Sequence, residues 1–347
     1  MSEVALDQAP LATRAVATAE RDRIQVMRGL ACLLLVLFHV IGGNAHDGLR
    51  VPDDGWIRKG LDLLLYIRMP IFGFLSGYVY ALRPTERGRL LPFLRGKARR
   101  LLLPLATAST LFFLTWNALD GALVRRLPEI WRIYVFSYEI FWFLQAMALI
   151  FVGIAVLEGL GLLRRPVGVV VAAVTAYLLA TQFEAVTFLS IGGALYLAPY
   201  FLLGLAARRF KPMDVRGVPW VVAAILICAF ALHAWKVLTL PHAQSVGRVH
   251  LLSPLVGGGA SLLLLRYIPN DWPSSGWLAR IGDSSFAIFL FHIFFAAGSR
   301  LALTRLGVTD LAALVVVGMA LAIAGPMALE ALLKRHAVTR RVFLGLN

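Results

Sequence analysis

Ten stretches of this chain run for about twenty residues with few charges, the length a helix needs to cross the hydrocarbon core of a bilayer. They fall at 26–43, 61–82, 101–119, 138–157, 166–182, 186–207, 218–236, 249–267, 279–299 and 310–333. Lipid offers the backbone no hydrogen bonds, so each stretch must satisfy its own N–H and C=O groups, and an α-helix does that. Composition agrees: 59% of the residues are hydrophobic and 15% charged, against roughly 45–50% and 25% in soluble domains. The expectation is an all-α, polytopic integral membrane helix bundle of about ten transmembrane helices. One membrane domain, 26–333, lies between an N-terminal segment, 1–25, and a C-terminal tail, 334–347.

The charges then set an orientation. Thirty-four Lys and Arg against 19 Asp and Glu give a net charge of +15, which by itself suits a nucleic-acid binder. Their placement excludes that reading, because the basic residues gather at alternate gaps between apolar runs. With a cytoplasmic N-terminus, the inside segments hold 23, the outside loops hold 10, and Arg68 lies within a span. Cytoplasmic flanks retain positive charge, so both termini are expected inside. A reporter active only in the cytoplasm should therefore work when fused after Asn347; activity confined to an exported reporter would overturn this topology. The competing reading takes 1–45 as a signal peptide, with Leu30 to Ile41 as its apolar region and Gly43-Asn44-Ala45 as the cleavage site. That leaves nine spans and sets the basic loop 83–100 at odds with a cytoplasmic C-terminus.

The two cysteines, Cys32 and Cys228, both lie inside apolar runs. They offer neither a disulfide framework nor a metal site. The polar residues inside the spans carry more information. Arg28 and His39 are eleven residues apart in the first span. At about 100° and 1.5 Å per residue they share one helix face, roughly 16 Å apart. Such groups are costly against lipid and should face a polar cavity; otherwise Arg28 is a topogenic flank and His39 a satisfied buried histidine. In the second span, Arg68 precedes Met69-Pro70-Ile71-Phe72-Gly73-Phe74-Leu75-Ser76-Gly77. Pro70 should kink the helix, and Gly73 with Gly77 permits close helix contact. Arg68 needs a carboxylate, a carbonyl or a ligand; Asp62 is a candidate partner, although six residues place it on another face. Further on, Phe141-Trp142-Phe143-Leu144-Gln145 lies at the outer end of the fourth span. Gly282-Asp283-Ser284-Ser285-Phe286 leads into the ninth, which reaches His292, and Asp283 or Ser284 can cap that helix.

Together these segments resemble the acyltransferase-3 family of ten-span membrane acyltransferases, which O-acetylate bacterial surface carbohydrates. The resemblance covers nearly the whole chain. It rests on Arg28-x10-His39, the stretch Met69 to Gly77, Lys97-Ala98-Arg99-Arg100-Leu101-Leu102-Leu103-Pro104, Trp142-Phe143-Leu144, and Ser285 to His292. Where relatives often carry His before the Met-Pro, this chain has Arg68. The resemblance implies transfer of an acyl group, usually acetyl from acetyl-CoA as co-substrate, to a sugar hydroxyl, by a multi-pass protein of the bacterial inner membrane. Its partners would be the lipid bilayer, acyl-CoA, a lipid-linked or polymeric glycan acceptor and the polysaccharide-synthesis machinery, with no metal and no nucleic acid.

A hydroxyl needs a base to take its proton during attack, and histidine is best tuned for this near neutral pH. His39 is therefore the expected general base, with an acyl-histidine intermediate as the alternative. Arg28, Arg68, Arg99 and Arg100 are the expected acyl-donor contacts, since Arg forms paired charge-assisted bonds with phosphate groups; Arg99 and Arg100 equally suit positive-inside retention. Ser76, Trp142 and His292 are either site residues or structural members of their motifs. Two other functions fit the intramembrane charges: a secondary transporter of a small anion, and a non-catalytic subunit of a polysaccharide export machine.

Overall fold

The computed structural model describes residues 11–85, 87–269 and 275–346. Part of the N-terminal segment 1–25, and Asn347 of the tail, lie outside them. The described residues form helices α1 (Leu11–Ile41), α2 (Trp56–Leu63), α3 (Leu65–Leu82), α4 (Leu90–Leu119), α5 (Trp142–Gly159), α6 (Pro166–Phe183), α7 (Ile191–Phe210), α8 (Val218–Thr239), α9 (Leu252–Tyr267), α10 (Ser275–Asp283), α11 (Ser285–Arg305), α12 (Leu311–Leu333) and α13 (Ala337–Leu344), with short helical turns between them. Among the described residues the only β pairing is an isolated bridge between Phe136 and Phe188.

Nine helical segments among the described residues are long and apolar enough to cross a membrane. The tenth expected span corresponds to α9, whose 16 residues reach about 24 Å at 1.5 Å per residue, short of a hydrocarbon core of about 30 Å. It nevertheless traverses the bundle. At one end His250 meets Lys236 at the close of α8; at the other, Arg23 near the start of α1 donates to the Leu265 carbonyl at 3.1 Å. The described residues therefore traverse the bundle ten times, and α1 begins at the same end where α12 finishes. We call this the near end, and the opposite one the far end.

Several element boundaries differ from those expected. The first helix begins well before residue 26, because its polar first turns are tied to neighbours: Glu20 accepts from the Tyr78 hydroxyl at 2.6 Å and pairs with Arg208 at 3.2 Å. The second span is interrupted at Leu64 (φ −91°, ψ −1°), and the helix continues through Pro70. Proline has no N–H to give the Tyr66 carbonyl; that oxygen lies against Gly257 of α9, where an added Cβ would come within 2.4 Å of it. The ninth span starts at Ser285, after the separate α10. Ser284 occupies the cap position, but neither its side chain nor that of Asp283 makes the capping bond.

Of the two glycines expected to permit close packing, Gly77 sits at a contact that excludes a side chain, whereas a Cβ on Gly73 would lie 3.4 Å from the Leu197 carbonyl. A Cβ on Gly77 of α3 would sit 1.8 Å from the Phe201 carbonyl of α7, and one on Gly204 of α7 would sit 1.9 Å from the Phe74 carbonyl of α3. The two backbones thus lock reciprocally. Gly29 of α1 and Gly282 of α10 do the same against Leu278 and Gln25. Helices α1, α3, α5, α7 and α11 form the interior, whereas α6, α8 and α12 present mostly exposed apolar surface, the face a bilayer would cover. Gly77→Ala must push α3 and α7 apart, and overpacking of this kind costs about 1–3 kcal/mol. It should lower the unfolding temperature in detergent, while Gly88→Ala, which meets nothing within 4 Å, should not.

Candidate active site

His39 lies in the last turn of α1, toward the far end. Its Nδ1 is 2.9 Å from the Leu35 carbonyl. A carbonyl only accepts, so Nδ1 carries the hydrogen and Nε2 is left with a free lone pair. The ring lines a cavity of about 90 Å³ together with Arg68, Trp142, Tyr196 and Arg248. His292, buried in α11, packs its ring 4.9 Å from that of His39. Its Nδ1 is likewise committed to its own helix, donating to the carbonyls of Ile288 at 2.8 Å and Phe289 at 3.0 Å. The buried Nε2 of His292 has no partner among the described residues.

Arg68 does not find the carboxylate considered for it. Asp62 sits in α2, beyond the interruption at Leu64, and pairs with His242 at 2.7 Å. Among the described residues the Arg68 side chain makes no hydrogen bond or ion pair; its guanidinium lies over the Phe38 ring, 3.3 Å from the centroid. The face of an aromatic ring attracts a cation but uses none of its N–H groups, so five donors at the cavity are left for something else.

Trp142 forms the opposite wall. Its ring packs against Gly193 of α7, where a Cβ would come within 2.6 Å of it. One turn along α5, Gln145 accepts from Ser190 at 2.6 Å and donates to the Tyr134 carbonyl at 3.0 Å, tying the far-end loops to α5 and α7. Arg248 caps the cavity, with its guanidinium 4.9 Å from the Trp142 ring. Arg248 is itself exposed, so this side of the cavity is closed by a side chain from the loop before α9.

The expected residues thus divide. His39, Arg68 and Trp142 share one cavity, with His292 behind it. Arg28 does not reach that cavity: it lies eleven residues nearer the N-terminus of α1, where its Nη1 bonds the Gln25 side chain at 3.3 Å. Arg99 and Arg100 lie in the near half of α4, where Gly345 at the end of α13 crosses their backbone. Ser76 is spent on its own helix, donating to the Phe72 carbonyl at 2.8 Å. Tyr196 and Arg248 were not singled out from the sequence. Arg248 read as an ordinary loop charge, and Tyr196 as one more aromatic residue in an apolar helix.

Against this geometry, the family comparison is decisive: the acyltransferase domain model of the acyltransferase-3 family matches residues 21–331. The chain belongs to the acyltransferase-3 family. No match was found among curated proteins or among solved structures. Family membership makes this a membrane acyltransferase, and the match extends from the polar first turns of α1 almost to the end of α12. All nine residues that line the His39 cavity lie within it. Among the described residues, no cluster of His, Cys, Asp or Glu has the arrangement of a metal site. The titratable side chains that line the His39 cavity are one imidazole, two guanidinium groups and the Tyr196 phenol.

Proposed function

We propose that this protein transfers an acyl group, acetyl in the first instance, from acetyl-CoA to a hydroxyl of a cell-surface or exported polysaccharide sugar, with His39 as general base. What supports the reading is the pairing, around one cavity, of an imidazole whose Nε2 is free with a guanidinium that has no internal partner. The acceptor oxygen attacks the thioester carbonyl carbon and gives its proton to Nε2 of His39. The Leu35 carbonyl holds the Nδ1–H throughout and stabilises the imidazolium that forms. Negative charge collects on the former carbonyl oxygen, where Arg68, helped by Arg248, supplies N–H donors; such pre-placed donors usually contribute the largest single electrostatic effect in acyl transfer. Collapse of the intermediate restores C=O and breaks the C–S bond, and the departing CoA thiolate takes the proton from the imidazolium.

Sidedness follows from the same arrangement. With the near end in the cytoplasm, Arg28, Arg99 and Arg100 face the compartment that holds acetyl-CoA, and they suit its phosphates. The acyl end would have to reach past the buried Ala31, Cys32 and Leu35 of α1 to His39, roughly 16 Å away, and the acceptor would approach from outside. Purified protein in sealed vesicles should transfer labelled acetyl from acetyl-CoA with no ion gradient imposed. Mass spectrometry of surface carbohydrate should show an acyl group in cells carrying the protein and none in cells lacking it. Acyl-free carbohydrate in both, together with gradient-driven anion uptake, would favour the transporter instead.

A further inference from the structure

A cavity larger than the one at His39 lies elsewhere in the bundle. A space of about 660 Å³ opens at the far end between α4, α11 and the start of α12, within the range of small-molecule sites, about 300–1,000 Å³. Its walls are apolar and aromatic, with Phe112 and Trp116 of α4 facing Phe294 and Leu301 of α11. Its rim carries Arg50, Arg300 and Arg305, with Asp120 as the one carboxylate. Trp116 and Leu301 are exposed, so the apolar part opens sideways, toward where acyl chains would lie.

The positive rim has features that packing alone does not explain. Far-end flanks are poor in basic residues in this chain, with 10 of the 34, yet three of them meet at one cavity. Neither Arg50 nor Arg305 forms an ion pair with any described residue. Arg300 donates to the Gly48 carbonyl, which holds the loop after α1 over the cavity. In that loop Arg50 has φ +55°, a left-handed conformation that side-chain-bearing residues rarely adopt and that tends to mark functional segments. Three guanidinium groups meet there against Asp120, with Asp47 near Arg300, so the rim is positive and suits the oxygens of a phosphate group through paired N–H contacts.

We propose that this cavity binds an amphiphile carrying a phosphate group. The arginine rim takes the phosphate, and the trough between Phe112, Trp116, Phe294 and Leu301 takes the first part of the chain. Resting on the acyltransferase reading, the occupant is the carrier end of a lipid-linked glycan acceptor. Arg300 lies eight residues beyond His292 on α11, about 12 Å along the axis, so a phosphate held there leaves the attached sugars free to extend toward the His39 cavity.

The probe is farnesyl phosphate, a prenyl chain with a phosphate monoester, added to the purified full chain in detergent and followed by native mass spectrometry. It should bind saturably, and farnesol, which lacks the phosphate, should not displace it. Arg50→Gln with Arg305→Gln, two exposed positions that leave the Arg300–Gly48 bond in place, should weaken binding at least about tenfold, the loss expected when charge-assisted bonds are removed. The same binding should persist in the His39→Ala variant, so failure of the catalytic reading and failure of this site give separate results. Equal binding of farnesol, or unchanged affinity in the double variant, would overturn the phosphate site. Displacement by phosphatidylglycerol at equal concentration would overturn the acceptor assignment, because the cavity would then hold bulk lipid.

Discussion

His39→Ala is expected to reduce acyl transfer by about 10²–10⁴-fold, the usual contribution of a positioned general base, with the protein still inserted and folded. The fold should survive because the imidazole contributes little to it. Its one hydrogen bond is to the Leu35 carbonyl of its own helix, and that carbonyl keeps its helical partner when the ring is gone. The ring also lines an open cavity and does not fill a close-packed core. His39→Gln separates two accounts of the residue. Glutamine can hydrogen-bond in the cavity but cannot carry a proton near neutral pH, so it should fail nearly as badly as alanine. The measurement is turnover of labelled acetyl-CoA by purified variants whose unfolding temperatures match the parent's. More than about a tenth of parental turnover in either variant would remove His39 from the chemistry. The orphaned Nε2 of His292, across the 4.9 Å ring contact, would then be the group to test.

How much of this was legible in the sequence depends on whether a feature is set locally or by packing. The spans were legible because twenty apolar residues in a row have one stable environment, and α6, α8 and α12 start and end within a few residues of the expected places. The Gly77 contact was legible because a small-residue spacing on an apolar helix has a specific mechanical use. The polar start of α1 was not, because hydropathy cannot register that Tyr78 and Arg208 hold Glu20 in place. The stripe from Arg28 to His39 placed both residues on one face of α1, but not both in one cavity. Arg248 was the largest omission. Its place at the cavity is set by the distant Trp142 ring that its exposed guanidinium lies over, and that contact is not visible in the residues beside it. The aromatic far-end cavity escaped for the same reason: Arg50, Arg300 and Phe112 come from three distant segments and meet only when α4 packs beside α11.

Arg68→Ala should leave the protein as stable as the parent or more so, while turnover falls about 10²–10³-fold, the loss seen when one oxyanion donor is removed. The two halves of this expectation have one cause. An arginine within a span costs about 2.5–3.5 kcal/mol on insertion scales, and here no carboxylate pairs with it directly: Asp62 acts on it only from a distance and is paired with His242. The Phe38 contact returns only part of that cost, since a cation over an aromatic ring contributes about 0.5–2 kcal/mol. Alanine therefore removes a net penalty and leaves no buried partner unpaired. A structural ion pair predicts the reverse, because breaking one strands the other charge and costs about 3–5 kcal/mol. Kinetics then locate the interaction: a guanidinium that acts on the developing oxyanion lowers kcat, whereas one that only holds the donor raises the KM for acetyl-CoA and spares kcat. Arg216→Ala, at an exposed turn remote from both cavities, should change neither stability nor turnover. Parental turnover in Arg68→Ala would show that the guanidinium serves only the bilayer, and a marked drop in unfolding temperature would show that it serves the fold. Either result would leave the His39 cavity without its electrophilic side and return the oxyanion role to Arg248, the other guanidinium on its wall.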